Sequence, residues 1–470
     1  MAVVIGREKE VQILKNALAS DKSELIVLYG RRRVGKTFLI RETYAKEIVL
    51  EVSGIHKVNF KTQRTNFYNE IVKKLKRFSK RKVPTDWMEA FAMLGDYIDT
   101  IKGAQKKVVF IDEFPWMNTH KSSYVPIFAH FWNNYCSKRR DLVVVICGSA
   151  ASFMINKVIN DKGGLHNRIS YPIRLLPFNL RETEMFLKSK KVNLDKYDYL
   201  RLYMAIEGIP HYLEKINSGD SVPMAIDRLC FKTGGVLVNE FNIVFPSLFD
   251  NSQNHTKVVE ALANVQQGMD RGSIIKKSGV KSGGTISTVL LELIESGFVT
   301  EYRPFGKRKK EKLYRLSDEY SLFYLKYIKN NSGGSWTTLS SSRSYSSWSG
   351  FAFENLCLKH VEQIKKALGL SGIYSENYCW RNRNAQIDLL IDRNDRSMNI
   401  CEMKFSNTQF TIGKKDADNL RNKKAELTKE LTSHKNIFIT MVTTFGVANN
   451  AHSNKVMDNQ IMMNSLFDKL

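Results

Sequence analysis

The loop GRRRVGKT, residues 30–37, constrains the fold of this chain more than any other feature. It follows the short apolar run SELIVLY, residues 23–29, which is suited to a buried strand, and it precedes FLIRETYAKE, which reads as a helix. The pattern G-x-x-x-x-G-K-[ST] wraps a phosphate when a strand enters it and a helix leaves it. The sequence therefore predicts a parallel α/β sheet that carries a phosphate-binding loop at the end of one strand.

The chemistry of phosphate binding explains each residue type in this loop. Gly30 and Gly35 let the backbone turn its N–H groups toward a phosphate, and the helix N-terminus after Gly35 adds a partial positive charge. Lys36 is expected to reach the β- and γ-phosphates of ATP, and the Thr37 hydroxyl is expected to hold Mg²⁺. The predicted nucleotide-binding residues of the loop are Gly30, Arg31, Arg32, Arg33, Val34, Gly35, Lys36 and Thr37.

Two further apolar runs end in polar residues. KKVVFIDEF, residues 106–114, ends with Asp112 and Glu113, and the carboxyl ends of parallel strands are where ligands bind. We expect Asp112 to orient Mg²⁺ with its waters and Glu113 to polarise the attacking water as the catalytic base. LVVVICGSA, residues 142–150, places Ser149 at its end. Ser149 would either sense the γ-phosphate or serve a structural role.

Six segments of the first half occur in a fixed order: IGREKEVQILKNAL, GRRRVGKT, FIDEF, CGSA, NRISYPIRLLPFNLRE and EGIPHYLEK. Together they resemble the prokaryotic ATPases of the AAA+/STAND type. The resemblance implies that Gly6 and Arg7 lie near the adenine and that Arg168 is an arginine finger or sensor. It also implies that Gly208 and Pro210 belong to a helical lid that contacts the nucleotide. A homo-oligomer formed through the ATPase domain is a further expectation.

The charge balance indicates the kind of partner. The chain has 470 residues and a formal net charge of +25, and a soluble protein this basic most often meets a polyanion. The longest apolar stretch, residues 142–155, is shorter than the roughly 20 residues that span a bilayer, and no signal sequence begins the chain. Six scattered cysteines form no CxxC pair, which favours reduced thiols in the cytoplasm. DNA is therefore the expected partner, and a membrane is not.

Residues 251–330 have the pattern of a winged helix, a variant of the helix-turn-helix. Three helical segments precede FVTEYRPFGKRKKEKLYRLSD, which reads as a strand, a basic tip and a strand. The helix at 285–295 would read DNA, with Thr285, Ser287 and Thr288 facing a groove. The basic residues predicted to grip phosphates at the tip are Lys307, Arg308, Lys309, Lys310 and Lys312. The alternative is an internal latch or protein-docking module.

Residues 387–406, IDLLIDRNDRSMNICEMKFS, form two apolar runs around a polar break, which is typical of a β-hairpin. A turn centred on Asp395 places Asp388 opposite Glu402, because the numbers of paired residues have a constant sum. Lys404 shares their face. Facing carboxylates cost stability unless a cation bridges them. The sequence therefore predicts a Mg²⁺ or Mn²⁺ site, with Lys404 as a catalytic residue beside it.

A glutamate on an earlier helical segment adds to this hairpin. Glu354 lies near the start of GFAFENLCLKHVEQIKKAL. A helix with Glu followed by D-x(13)-E-x-K on a hairpin resembles the PD-(D/E)xK nuclease superfamily, over residues 351–470. The resemblance implies that Glu354, Asp388 and Glu402 are metal ligands. Gln386 and Ile387 stand where the superfamily has a Pro before the Asp. The alternative is a decayed nuclease that binds DNA without cleaving it.

These inferences predict an α/β protein with a P-loop NTPase parallel sheet, a helical lid, a winged helix and a restriction-endonuclease-like α/β domain. The predicted boundaries are 1–175 for the ATPase core, 176–250 for the lid, 251–330 for the winged helix, 331–350 for a linker and 351–470 for the nuclease-like domain. The expected function is an ATPase that controls a metal-dependent deoxyribonuclease. The alternative is a STAND-type switch that oligomerises, with a nuclease-like domain that does not cleave.

Overall fold

The computed structural model describes residues 4–470 except Ala104, Asp250, Asn264, Gln266, Lys309 and Ser332. The chain divides into two compact units, Met1–Leu176 and Pro177–Leu470. The first unit ends one residue beyond the predicted end of the ATPase core. The lid, winged-helix and nuclease-like segments all belong to the second unit.

The first unit is built on five parallel strands in the order β2-β3-β4-β1-β5. β1, β3 and β4 are almost wholly buried, as expected for strands with both faces covered. Tyr29 of β1 pairs with Gly148 of β4, so the loops after these strands leave the same edge of the sheet. The strands are β1 Glu24–Tyr29, β2 Ile48–Ser53, β3 Lys107–Asp112, β4 Leu142–Gly148 and β5 Tyr171–Arg174.

The helices of the first unit cover this sheet. They are α1 Glu8–Ala19, α2 Lys36–Thr43, α3 Phe60–Lys74, α4 Trp87–Asp99, α5 Phe114–Met117, α6 Tyr124–Asn134 and α7 Ala151–Phe153. α3 ends at Lys74, and a 3₁₀ turn follows over Lys76–Lys80. The break lets Phe78 turn into the core, where its ring lies 6.3 Å from that of Tyr97.

The second unit begins with helices and a small sheet. Its first eight helices are α8 Leu180–Ser189, α9 Lys196–Ile206, α10 Pro210–Leu213, α11 Val222–Cys230, α12 Glu240–Leu248, α13 Ser252–Ala263, α14 Arg271–Ser278 and α15 Gly284–Glu295. The antiparallel sheet, in the order β6-β8-β7, consists of β6 Met269–Asp270, β7 Val299–Tyr302 and β8 Leu313–Leu316. The three helices α13 to α15 and the strands β7 and β8 follow one another as predicted, whereas β6, between α13 and α14, was not predicted. The assignment of this segment as a winged helix stays a prediction.

The predicted linker at 331–350 is largely helical. After α16 Glu319–Phe323 come α17 Trp336–Leu339 and α18 Arg343–Lys359. Trp336 and Trp348 are buried, and both rings pack against Phe323 and Tyr327. The long helix of the C-terminal segment therefore begins before the predicted domain boundary at residue 351, because these aromatic contacts order the stretch that was predicted to be a linker.

The C-terminal segment contains a five-stranded sheet in the order β13-β12-β11-β10-β9. β9, β10 and β11 are antiparallel, whereas β12 and β13 run parallel to β11. The strands are β9 Ser375–Arg381, β10 Gln386–Arg393, β11 Ser397–Lys404, β12 Asn436–Thr443 and β13 Asn459–Met462. The remaining helices are α19 Val361–Ala367, α20 Lys414–Glu430 and α21 Ser453–Val456.

Candidate functional site

The loop at 30–37 folds back on its own lysine. Lys36 is buried, and its ammonium donates hydrogen bonds to the carbonyl oxygens of Gly30 at 2.8 Å and Arg31 at 2.9 Å. Gly30 has φ 144°, and a Cβ there would lie 2.2 Å from the Leu175 carbonyl oxygen. Gly35 has φ 90°. Both glycines are therefore required by the backbone path of the loop.

The hydroxyl and the carboxylate predicted to hold Mg²⁺ meet at the edge of the sheet. Thr37 Oγ1 at the start of α2 donates a hydrogen bond to Asp112 Oδ2 at the end of β3, over 2.7 Å. A hydroxyl and a carboxylate are the hard oxygen donors that Mg²⁺ prefers. These two residues therefore fit a magnesium ion that arrives with a nucleotide.

The predicted base and the predicted sensor are in direct contact. Glu113 adopts left-handed backbone angles, φ 43° and ψ 48°, which are unusual for a residue with a long side chain. Its carboxylate accepts hydrogen bonds from Ser149 Oγ at 2.9 and 3.2 Å and from the Ser149 N–H at 3.3 Å. β4 lies next to β3 in the sheet, so the strand order brings Ser149 to the carboxylate.

Aromatic and basic residues border the loop. The Arg32 guanidinium carbon lies 5.1 Å from the centre of the Trp116 ring, which is itself 4.9 Å from the ring of His56. Arg7 Nη2 donates to the Val34 carbonyl oxygen at 3.3 Å, so the predicted adenine-side arginine contacts the loop backbone. The sequence analysis did not single out Trp116. Trp116 follows Glu113 by three residues, just after the carboxyl end of β3, and this position could have indicated that it lies near the loop.

Three residues predicted from the family resemblance lie apart from this cluster in the chain. Arg168 lies in a turn before β5, and its side chain is exposed. Gly208 and Pro210 belong to the second unit, where a Cβ on Gly208 would lie 2.0 Å from the Phe178 carbonyl oxygen and Pro210 opens α10. Their contacts with a nucleotide stay predictions.

The C-terminal hairpin has the predicted register. Leu389 pairs with Cys401 and Leu390 with Ile400, so the paired numbers sum to the value that places Asp388 opposite Glu402. Lys404 Nζ lies 2.9 Å from Glu402 Oε1. The sequence therefore brings these two charged groups together as expected.

The other Glu402 oxygen has a partner that the sequence analysis missed. Lys423 Nζ of α20 lies 2.6 Å from Glu402 Oε2, and both groups are buried. Burial favours the neutral acid, but Lys423 and Lys404 outweigh it and leave the pKa of Glu402 below its usual value. α20 carries several lysines, and no local sequence pattern shows that Lys423 is one that turns inward.

Glu354 is paired with a residue of the small sheet. Arg315 Nη1 of β8 lies 2.8 Å from Glu354 Oε1. Burial raises the pKa of Glu354 to about 7; Arg315 opposes this rise, and the nearby Asp388 adds to it. In β8, Leu313 and Arg315 are two residues apart and therefore face the same side of the strand. Because Leu313 faces inward, the sequence could have indicated that Arg315 is a buried charge.

The predicted C-terminal metal site does not fit this arrangement. Within the part of the chain that the structure describes, no group of three or more His, Cys, Asp or Glu residues is placed to hold a metal ion. Lysines occupy both oxygens of Glu402, and Arg315 holds Glu354. The repulsion that suggested a divalent cation is thus relieved by cations of the chain itself.

The basic tip between β7 and β8 is mostly exposed. Lys307, Arg308 and Lys310 are exposed, Lys312 pairs with Glu301 at 2.6 Å, and Lys309 lies outside the described residues. At the base of the tip, the Phe305 N–H donates to the Cys379 carbonyl oxygen at 2.7 Å. This bond joins the tip to β9, the edge strand of the C-terminal sheet.

The predicted DNA-reading helix is also exposed along its first turn. Thr285, Ser287 and Thr288 of α15 face solvent. Ser287 Oγ donates a hydrogen bond to the Gly283 carbonyl oxygen and accepts one from Arg271 Nη2, each over 3.2 Å. None of the helices that the structure describes is both long enough and apolar enough to cross a bilayer.

The first unit has a P-loop ATPase fold. Its sheet is parallel, β1 leads into the loop 30–37, and β3 is followed by the two acids Asp112 and Glu113. Residues 5–216 match the sequence profile of an ATPase domain family found predominantly in Archaea. This match supports an ATPase domain over this part of the chain.

Three similar proteins extend this result. An uncharacterised protein of Methanocaldococcus jannaschii is 24% identical over 416 residues, which cover 85% of this chain and 87% of that protein. An uncharacterised ATP-binding protein of the same organism is 43% identical over 42 residues, 9% of this chain and 71% of that protein. The structure of a Walker-type ATPase of Pyrococcus abyssi aligns with a TM-score of 0.51 and 18% identity, over 69% of this chain and 96% of that one. This structural likeness shows a shared fold.

Proposed function

We propose that this protein binds and hydrolyses ATP at the loop 30–37 and uses the nucleotide cycle to control the association of its second unit with DNA. The observation that carries the ATPase part is the hydrogen-bonded set at one sheet edge: Thr37 with Asp112, and Glu113 with Ser149. A phosphate-binding lysine, two metal-compatible oxygens and a held carboxylate base are the groups that phosphoryl transfer to water requires.

Each residue of the set has a task in this proposal. Lys36 gives up its two loop carbonyls and binds phosphate oxygens instead, while Thr37 and Asp112 hold the magnesium ion. Magnesium bound with ATP supplies charge neutralisation on the phosphates. Glu113 accepts the proton of the attacking water, and Ser149 keeps its carboxylate oriented.

Binding of ATP tests the loop assignment. Lys36→Ala should lose ATP binding in a calorimetric titration, because the ammonium that meets the phosphates is removed. Lys46→Ala is the matched control, since Lys46 is an exposed lysine shortly after α2. Equal ATP affinity of the Lys36→Ala protein and the control would contradict the assignment.

The DNA part of the proposal is supported by charge and exposure. The net charge of +25 favours a polyanionic partner, and the exposed first turn of α15 and the exposed basic tip suit a groove and a phosphate backbone. The alternative is that this segment is an internal latch that binds the protein itself. The hydrogen bond between the Phe305 N–H and the Cys379 carbonyl oxygen favours this alternative.

The finer expectation, a metal-dependent nuclease at Asp388, Glu402 and Lys404, has the hairpin register and the Lys404–Glu402 pair in its favour. Because Lys404 and Lys423 hold both oxygens of Glu402 and the Gln386 amide donates to Asp388, we assign no metal-dependent step to this cluster and propose that it faces the nucleic acid without cutting it. Incubation of plasmid DNA with Mg²⁺ or Mn²⁺ tests this. Nicking by the wild type that disappears in Lys404→Ala would restore the nuclease assignment.

A further inference from the structure

A cleft of about 750 Å³ lies between β7–β8 and β9–β10 in the second unit. Its walls include Tyr302, Arg315, Asn355, Tyr378, Arg381 and Asp388. A volume of this size, lined by aromatic rings and a few polar groups, is typical of small-ligand sites. Asp388, which is proposed above to face the nucleic acid, forms one wall of this cleft, whereas Arg315 has no binding role in that proposal.

We propose that this cleft binds a phosphate oxyanion through Nε and Nη2 of Arg315. Arg315 is only 4% exposed. Its Nη1 atom is taken by Glu354 at 2.8 Å, but Nε and Nη2 are shielded from solvent and have no hydrogen-bond partner among the residues that the structure describes. A buried charged group is seldom left with two unused donors, because each has lost its water.

The shape of the guanidinium decides which ligand suits these donors. Nε and Nη2 lie on one edge of the plane and point the same way, so they bind two oxygens of one oxyanion side by side. Phe351 lies beneath the face of the group, 4.9 Å from Cζ to the ring centre. With one face covered and Nη1 engaged, the edge carrying Nε and Nη2 is the edge left for a ligand.

The acids of the cleft are already engaged. Glu301 pairs with Lys312 at 2.6 Å, Glu362 with Lys365 at 3.2 Å, and Asp388 accepts a hydrogen bond from Gln386 at 2.5 Å. Arg381 bonds only the neutral amide of Gln267, at 3.1 Å, within the described residues. The Arg381 guanidinium is thus a second cation on the wall of the cleft, and it favours a doubly charged phosphate over a carboxylate of single charge.

The phosphate could come from a nucleic-acid backbone or from a free phosphate or nucleotide. Both present the same tetrahedral oxygens to Arg315. The cleft shares Asp388 with the cluster that is proposed to face the nucleic acid. Phosphate binding by Arg315 depends neither on ATP hydrolysis nor on DNA binding by the basic tip, so its failure is distinguishable from theirs.

The test uses the full chain carrying Lys36→Ala, so that the P-loop cannot account for phosphate binding. In this background Arg315→Lys keeps a positive charge for Glu354 but removes the two-donor edge. Arg396→Lys, at an exposed arginine in the turn after β10, is the matched control. Inorganic phosphate is titrated into each protein by calorimetry. We expect phosphate binding in the parent and in Arg396→Lys, and affinity lower by about tenfold or more in Arg315→Lys.

Competition identifies the source of the phosphate. Duplex DNA that displaces inorganic phosphate from the parent indicates a backbone phosphate, whereas no displacement indicates a free phosphate or nucleotide; either result supports the site. Equal phosphate affinity in parent and Arg315→Lys, or no phosphate binding by the parent, overturns it. If Arg315→Lys fails to fold, the proposal is tested in the parent by measuring amide hydrogen exchange of β8 with and without phosphate. Slower exchange with phosphate supports the site, and unchanged exchange contradicts it.

Discussion

At the residue scale, the contact between Glu113 and Ser149 is the most informative one in the ATPase domain. A catalytic base must face the attacking water, yet this carboxylate is held by a hydroxyl and an N–H of the neighbouring strand end, in left-handed backbone geometry. Backbone strain of this kind persists where surrounding contacts fix it, often at functional sites. The orientation of the Glu113 carboxylate is therefore set by Ser149.

Removal of the serine hydroxyl should affect turnover more than binding. Ser149→Ala should lower kcat by about tenfold while the Kd for ATP changes little, because the carboxylate is no longer positioned and the groups that hold the phosphates remain. Ser152→Ala, a half-buried serine on the following helix, is the control and should behave like wild type. An unchanged kcat in Ser149→Ala would mean that this contact does not position the base.

Individual residues also show which contacts can be predicted from the sequence and which cannot. The P-loop, the acid pair and the hairpin register follow from local patterns, because strand ends and turn centres fix them. The pairs Lys423–Glu402 and Arg315–Glu354 join distant segments. No local pattern says which of several lysines on α20 turns inward. The metal prediction rested on the carboxylates alone and did not include these cations, and it stays a prediction.

At the scale of elements, helix α18 shows how tertiary contacts override local composition. The segment 331–350 is rich in Ser and Gly, which favours a flexible link. Trp336 and Trp348 are buried against Phe323 and Tyr327, and α18 therefore starts at Arg343. The three aromatic residues of this segment were visible in the sequence, but the surface that receives them was not.

The end of α18 is tied to α8 by a buried histidine. His360 Nε2 accepts a hydrogen bond from the Leu180 N–H at 3.1 Å, and Nδ1 lies 2.8 Å from the Leu356 carbonyl oxygen. This pattern requires a neutral ring with its proton on Nδ1. Burial lowers the pKa of His360 to about 4, and Lys359 adds to this effect.

Acid should therefore weaken this junction. A histidine whose folded pKa is depressed contributes stability above its unfolded pKa, near 6.5, and this contribution disappears as the pH falls toward 4. Between pH 7 and 5 the free energy of unfolding should fall by about 2 kcal/mol more in wild type than in His360→Gln. Urea unfolding at both pH values measures the difference. Equal pH dependence in the two proteins would contradict the assignment.

The basic tip between β7 and β8 is the element expected to grip DNA. Changing Lys307, Arg308 and Lys310 to Ala should weaken duplex binding and reduce the slope of log K against log salt by roughly 0.9 for each phosphate that the tip no longer neutralises. The control removes the same charge elsewhere, by changing the exposed Lys76, Lys80 and Lys82 to Ala. If both triple variants show the same reduction in slope, net charge rather than the tip accounts for binding.

At the scale of the whole molecule, an exposed arginine raises the question of assembly. The family resemblance implies that Arg168 is an arginine finger or a sensor, and its side chain is exposed on the surface of the ATPase unit. An arginine finger that acts across a subunit boundary leaves a clear signature, because one copy then completes the site of another.

Mixing two inactive variants tests that signature. Lys36→Ala supplies Arg168 but binds no ATP, whereas Arg168→Ala binds ATP but lacks the finger. Each alone should have at most about a tenth of wild-type turnover, and the mixture should regain activity if the arginine acts between copies. Full activity of Arg168→Ala alone would show that Arg168 is not a finger. Two inactive proteins that stay inactive when mixed would place its action within one chain.

The central claim is that this chain is an ATPase whose base is Glu113, and hydrolysis by a single variant tests it most directly. Release of labelled phosphate from Mg-ATP is measured for wild type and Glu113→Gln, with ATP affinity measured in parallel by calorimetry. We predict nearly equal ATP affinity and a fall in turnover on the order of 10²-fold or more, because the variant keeps the groups that bind the phosphates and cannot accept the proton of water. Wild-type turnover by Glu113→Gln, or no ATP binding by the wild type, would contradict the account.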